Sequence, residues 1–152
     1  MSLGRVFIRT CEYEKALECI GHALELAPGS ASAWGVLAEA LFLLERYEEA
    51  TEVCRRALES QYNTDEIVYY HTLRGLSCQY VGRHGDALAS FSRALELNPH
   101  NELILVRKGY SHIEEGAYWT ALACFDRAAE ISPEDAELWA GKAIALFRQD
   151  QF

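Results

Sequence analysis

Residues 87–99, ALASFSRALELNP, and residues 121–133, ALACFDRAAEISP, carry the reading on which the fold turns. In each, an alanine is followed four residues later by a phenylalanine, seven later by another alanine and twelve later by a proline. Ala16, Ile20, Ala23 and Pro28 repeat the pattern, and Ala50, Cys54 and Ala57 repeat it again with Tyr62 in the proline's place. The steps from Ala16 to Ala50, to Ala87 and to Ala121 are 34, 37 and 34 residues. Four copies in phase define an internal repeat, which takes precedence over any local assignment. The longer step implies about three extra residues near Gln61 to Glu66, as a loop insertion or a helix extension.

Each unit reads as two helices. Trp34, Leu37, Ala38, Leu41 and Leu44 form one stripe at three- and four-residue spacing, and Tyr47, Ala50, Val53, Cys54, Ala57 and Leu58 form a second, the period of a helical face. Gly82 and Gly116 fall where first helices should end, since glycine enters the left-handed region without a Cβ penalty. Ser30 and Ser132 are placed to cap the helices that follow, with Pro133 in a first turn. Connections this short make neighbouring helices antiparallel. Gly4, Ala38, Gly75, Gly109 and Ala143 share one phase of the first helices, where small residues permit close approach. Tyr13, Tyr47, His84, Tyr118 and Phe152 share another, where bulk fills space. A single helix pair cannot bury its own apolar faces and needs a neighbour on each side. The expected fold is all-α: a right-handed α-solenoid of about nine helices in antiparallel pairs. Its units are a partial repeat at 1–29, repeats at 30–63, 64–100 and 101–134, and a half repeat at 135–152.

These spacings resemble the tetratricopeptide repeat, whose pattern runs Trp-x2-Leu-Gly-x2-Tyr, then Ala-x3-Phe, then Pro. Leu3-Gly4-x2-Phe7 and Trp34-x2-Leu37-Ala38-x2-Leu41 match its first half. Ala87-x3-Phe91 with Pro99 and Ala121-x3-Phe125 with Pro133 match its second. Arg74, Lys108 and Lys142 stand where the pattern has leucine, and His71 and Leu105 stand in for tryptophan. Long basic side chains can bury their stems there and keep their heads in water. Pentatricopeptide, leucine-rich and ankyrin patterns fit less well.

Composition narrows the function. Against 14 basic residues stand 23 acidic ones, a formal charge of −9, the wrong sign for a phosphate backbone or an anionic membrane surface. No apolar run reaches the roughly 20 residues a bilayer span needs, and residues 1–10 do not read as a signal peptide. Cys11, Cys19, Cys54, Cys78 and Cys124 make no Cys-x2-Cys pair, so they read as reduced thiols of a cytoplasmic protein. Cys54 and Cys78 lie in apolar phases. The histidines (His22, His71, His84, His100, His112) show no metal-ligand spacing, and His71, His84 and His112 fall in core-facing phases. Glu48-Glu49 and Glu114-Glu115 read as solvated helix faces or ends. Gly82-Arg83-His84-Gly85 lacks the strand that a phosphate loop follows. No catalytic residue, cofactor or metal is expected.

The resemblance implies that first helices line a concave groove and second helices face outward. Helical spacing then assigns Ser32, Gly35, Glu39, Phe42 and Leu43 to the groove from the second unit. The third offers Tyr69, Thr72, Leu76, Gln79 and Tyr80. The fourth gives Leu103, Val106, Tyr110, Ile113 and Glu114, and the last Glu137, Ala140, Ile144, Phe147 and Arg148. The family's lysine, asparagine and arginine clamp for a terminal carboxylate is missing from these phases. The expected partner is a protein or peptide held by apolar anchors, Tyr80 and Tyr110 central among them. The acidic excess, Glu12, Glu14, Glu18, Glu25, Glu48, Glu49, Glu52 and Glu59, sits on second helices. Alternatives are a docking segment of a larger enzyme and a self-assembling array. The chain begins and ends inside a unit, which reads as an excerpt of a longer array with apolar ends open to end-to-end association.

Overall fold

The computed structural model describes residues 12–59 and 63–150. All eight elements among them are α-helices: α1 (Tyr13–Leu26), α2 (Ala31–Leu43), α3 (Tyr47–Ala57), α4 (Thr64–Tyr80), α5 (His84–Leu97), α6 (Glu102–Glu114), α7 (Tyr118–Ile131) and α8 (Ala136–Gln149). They form the right-handed solenoid of antiparallel pairs. The ninth helix, expected at the start of the chain, lies outside the described residues, as do Gly4, Cys11, Tyr62 and Phe152.

The repeated alanines and their apolar partners are the centre of the stack. Ala50, Cys54 and Ala57 are wholly buried, as are Ala87, Phe91 and Ala94, and Ala121, Phe125 and Ala128. On the facing first helix the side chain shrinks where the second helix's side chain grows. Phe91 lies so close to Gly75 that a Cβ there would overlap its ring. Phe125 lies between Gly109 and Gly141, where added Cβ atoms would sit 2.7 and 2.5 Å from ring carbons. In the preceding pair Ala38 meets Cys54 instead of glycine meeting phenylalanine. Ala143, expected to share this role, is exposed, because no second helix packs on α8 among the described residues. Gly141, on the opposite face of α8, instead receives Phe125 from the preceding pair.

Helix ends follow local chemistry. At the ends of α2, α4 and α6, Glu45, Gly82 and Gly116 take φ of 60°, 75° and 76°. The next residue's N–H then reaches back to the last turn, with Arg46 to Leu41, Arg83 to Cys78 and Ala117 to His112 at 2.8–2.9 Å. This is the Schellman closure, and it launches each second helix without a side-chain cap. First helices are capped by side chains. Ser30 accepts from the Ala33 N–H and Asn101 from the Ile104 N–H. At α8 the cap is Asp135, which accepts from Glu137, and not Ser132. Ser132 ends α7, and Pro133 lies in the turn between the helices rather than in a first turn. Ser30 stands two residues after Pro28, and the same offset from Pro133 leads to Asp135. The longer register step becomes a helix extension: α4 starts at Thr64, four residues before the register of Ala31 reaches Val68. Asn63 and Glu66 close that extra turn as a reciprocal capping box.

Consecutive helices all pack together. In addition α2 meets α4, α4 meets α6 and α6 meets α8, while α1, α3, α5 and α7 make no contact with one another. Rows bent into an arc crowd on the inside and spread on the outside, so the first helices form the concave wall. Replacing Gly109 by Ala should lower unfolding free energy by about 1–3 kcal/mol, because Phe125 is wedged on both sides and cannot withdraw. Urea unfolding checks this. Adding Phe125→Leu should cost less in the Gly109→Ala background than in the parent, as expected of residues that share one space.

Candidate functional site

The concave wall is built from one face of α2, α4, α6 and α8, and adjacent first helices are tied by side chains donating to backbone carbonyls. The Tyr70 hydroxyl donates to Ala31 O at 2.7 Å, Gln79 Nε2 to Arg107 O at 2.7 Å and the Tyr110 hydroxyl to Glu137 O at 2.9 Å. Gln79 also reaches Ser111 Oγ at 2.7 Å. Arg107 pairs with Glu137 at 3.0 Å and Arg148 with Glu114 at 3.3 Å, both across α6 and α8.

Against this geometry the residues expected to face a partner divide. Val106 and Ile113 are 1% and 2% exposed and belong to the main core, so their assignment to the groove surface is corrected. Helical phase points them inward, but the crowding of the first helices covers them. Tyr110 is half-buried, with its ring edge against Phe125 and its hydroxyl spent on α8. Burial and the nearby Glu137 carboxylate raise its pKa, keeping it a donor. Thr72 is half-buried and donates to Val68 O within its own helix. Leu76 packs on the core, and Gln79 and Arg148 are committed to neighbours.

Glu39, Tyr69, Tyr80 and Ile144 remain exposed, and with them the other groove-phase residues Leu43, Leu103 and Phe147. Tyr80 is the most open tyrosine among the described residues at 61%, and Phe147 on α8 is 68% exposed. Tyr80 is held in place by its other face: it stacks on Tyr47 at 4.6 Å with the rings 9° from parallel. Phe42 meets both rings edge-on, at 5.4 Å from Tyr47 and 5.7 Å from Tyr80. Helical phase assigns Tyr47 to filling space on a second helix; that α3 starts beside the end of α4 is a tertiary fact. Phase likewise gives no sign of a cleft of about 510 Å³ between α2 and the extra turn of α4, lined by Ser32, Gly35, Glu39, Asp65, Glu66 and Tyr69. The Asn63-x2-Glu66 cap spacing was the available signal.

Polar departures from the repeat pattern find partners on second helices. Arg74 Nη1 donates to Ser90 Oγ at 3.3 Å, and Lys142 Nζ meets Asp126 at 2.5 Å above the Trp139 ring. Trp34 and Trp139 donate from their indole N–H to the Pro28 and Pro133 carbonyls, six residues back in each case. The free thiols of Cys54, Cys78 and Cys124 are buried. Burial pushes Cys54 up to about 12 and raises the other two, so they act as small hydrophobes. Among the described residues no group of three or more His, Cys, Asp or Glu is arranged to hold a metal, and no helix is long and apolar enough to cross a membrane.

The tetratricopeptide repeat family model matches residues 1–65 and, in a second form, residues 81–143. The chain belongs to this family. Anaphase-promoting complex subunit 3 of Schizosaccharomyces pombe is 29% identical over 105 residues, which are 68% of this tetratricopeptide repeat chain and 15% of that protein. The solved structure of YrrB, described as a TPR protein with an unusual peptide-binding site, superposes with a TM-score of 0.82 at 23% identity, covering 99% of this chain and 76% of that one. MamA from Desulfovibrio magneticus reaches 0.91 at 15% identity over 98% and 82%. The Thermus thermophilus repeat protein TTC0263 reaches 0.73 at 26% identity over 95% and 78%.

Two half-buried histidines give the stack a pH dependence. Burial, helped by Arg74 and Arg93, holds His71 below the usual histidine range, and burial with Lys108 does the same for His112. His71 Nδ1 and His112 Nε2 have no hydrogen-bond partner. The folded chain keeps both rings neutral, whereas the unfolded chain protonates them near pH 6.5, so stability falls as pH drops through that value. Urea midpoints should decrease between roughly pH 7.5 and roughly pH 5.5. The double substitution His71→Leu, His112→Leu should flatten that decrease.

Proposed function

We propose that this chain is a docking module that holds a peptide or helix of a partner protein along its concave wall and performs no catalysis itself. The observation that carries the reading is the strip of large apolar side chains left open on successive first helices: Leu43, Tyr69, Tyr80, Leu103, Ile144 and Phe147. An apolar strip of this kind along a scaffold suits a binding surface, and in it Leu43 and Tyr80 share one register of the repeat and Tyr69 and Leu103 another. The outer helices carry ion pairs such as Arg46–Glu49, Arg55–Glu52 and Arg93–Glu96, as a solvated back does. A peptide-binding site is described for YrrB, and the S. pombe relative is by name a subunit of a complex. Both agree with a role in protein association. Free buried thiols suit a reducing, cytoplasmic compartment.

A second reading, association of copies through α8, is favoured by Trp139 at 47% exposure with Leu146 and Phe147 beside it. Sedimentation velocity over a wide concentration range separates the two: association through α8 should be abolished by Trp139→Ser and left unchanged by Tyr80→Ser, Leu103→Ser.

The docking reading is tested on the full chain with a displayed library of random dodecapeptides. Selected peptides should lose at least about tenfold in affinity to a Tyr80→Ser, Leu103→Ser variant and bind a Leu97→Ser variant as they bind the parent. Urea unfolding verifies that each variant is folded. Equal losses in both variants would exclude the concave wall.

A further inference from the structure

We propose that the groove between α2 and α4 selects a partner segment with a basic side chain placed about one helix length from an aromatic or large aliphatic one. This deepens the docking reading and rests on it. The apolar end of the groove is the step where Phe42, Tyr47 and Tyr80 pack together and leave the outer face of Tyr80 open. At the other end lies the cleft made by the extra turn of α4, and every charged residue lining it is acidic: Glu39, Asp65 and Glu66.

Asp65 and Glu66 also serve the start of α4, where the positive end of the helix dipole favours carboxylates, and Glu66 accepts from the Asn63 N–H at 3.1 Å. Glu39 has no such duty. It stands in the body of α2, exposed, and its side chain makes no ion pair or hydrogen bond among the described residues. Farther along the concave wall Glu114 pairs with Arg148 and Glu137 with Arg107. Three carboxylates thus line this end of the groove, against the single Glu45 beside Tyr47 at the other. Three carboxylates lining one cleft favour the entry of a cation. The Tyr69 ring beside them offers a surface for the aliphatic stem of lysine or the plane of arginine.

Spacing sets the rest of the partner's chemistry. Tyr69 and Tyr80 are eleven residues apart on one helix, about 16 Å at 1.5 Å per residue. An extended segment crosses that distance in about five residues at roughly 3.3 Å each. The occupant is thus a peptide of the pattern basic, four or five intervening residues, then aromatic or large aliphatic. It is opposite in charge to an acidic tail.

Dodecapeptides selected on the full chain supply the probe. Enrichment of arginine or lysine at that spacing from an aromatic or leucine is expected. Affinity of the selected peptides should fall about tenfold or more in a Glu39→Gln, Asp65→Asn variant, and more steeply with added salt in the parent than in the variant. Both positions are exposed, and circular dichroism confirms that the variant keeps its helices. Peptides that depend on Tyr80 and Leu103 but show no basic preference, or bind the charge-neutralised variant as well as the parent, overturn this inference and leave the docking reading standing. Recovery of acidic peptides, or of no binders, overturns it as well. Peptides indifferent to Tyr80 and Leu103 overturn the docking reading on which it rests.

Discussion

A wedge holds this molecule together. On α3, α5 and α7 one side chain, between two alanines, presses into a notch on the first helices, and the notch is cut to the size of the wedge. Phe91 faces Gly75, Phe125 faces both Gly109 and Gly141, and the smaller Cys54 faces Ala38. Packing at crystal-like density leaves no room for either member to change alone. Because Phe125 sits between the first helix of its own pair and that of the next, the contact that closes one unit also fastens the following one. The core is therefore a row of linked clusters, running from α1 and α2 through α3 to the large cluster under α4 to α8, as a stack stabilised by nearest neighbours requires.

Curvature follows from the same contacts. Glycine and alanine notches bring the first helices near enough to touch successive first helices, while the second helices splay apart. The inner row is then secured by donors from Tyr70, Gln79 and Tyr110 to carbonyls on the adjoining helix. Such bonds satisfy polar groups that the crowding removes from water. They also hold the concave wall in one shape before anything arrives, and a preformed surface loses less entropy on binding. What the wall leaves open is a strip of apolar side chains with an acidic cleft at one end.

How much of the candidate surface was legible depended on how strongly neighbours override helical phase. Phase alone put Val106, Tyr110 and Ile113 on the groove with Tyr80 and Ile144. The neighbouring helix covers Val106 and Ile113, and it takes the Tyr110 hydroxyl for itself. Tyr80 escapes because its far face is occupied by Tyr47 and Phe42, which props the ring outward. Glu39 was readable from phase. Its companions Asp65 and Glu66 were not, since they sit on a turn that the repeat register does not contain.

The sequence by itself determined the repeat, the two helices per unit, the left-handed exits at Gly82 and Gly116 and the buried alanine triplets. Each of these depends on residues within a dozen positions of one another, where periodicity and glycine's freedom at positive φ speak directly. It also placed the cap at Ser30, and misplaced that of α8 by setting Ser132 before Asp135. Only the tertiary structure decided that the extra residues near position 61 lengthen α4, that Phe125 also presses on Gly141 of the next pair, and which groove-phase side chains stay in water. Those outcomes depend on distances between helices far apart in the chain, and a side chain's exposure belongs to the neighbour that covers it as much as to its own position.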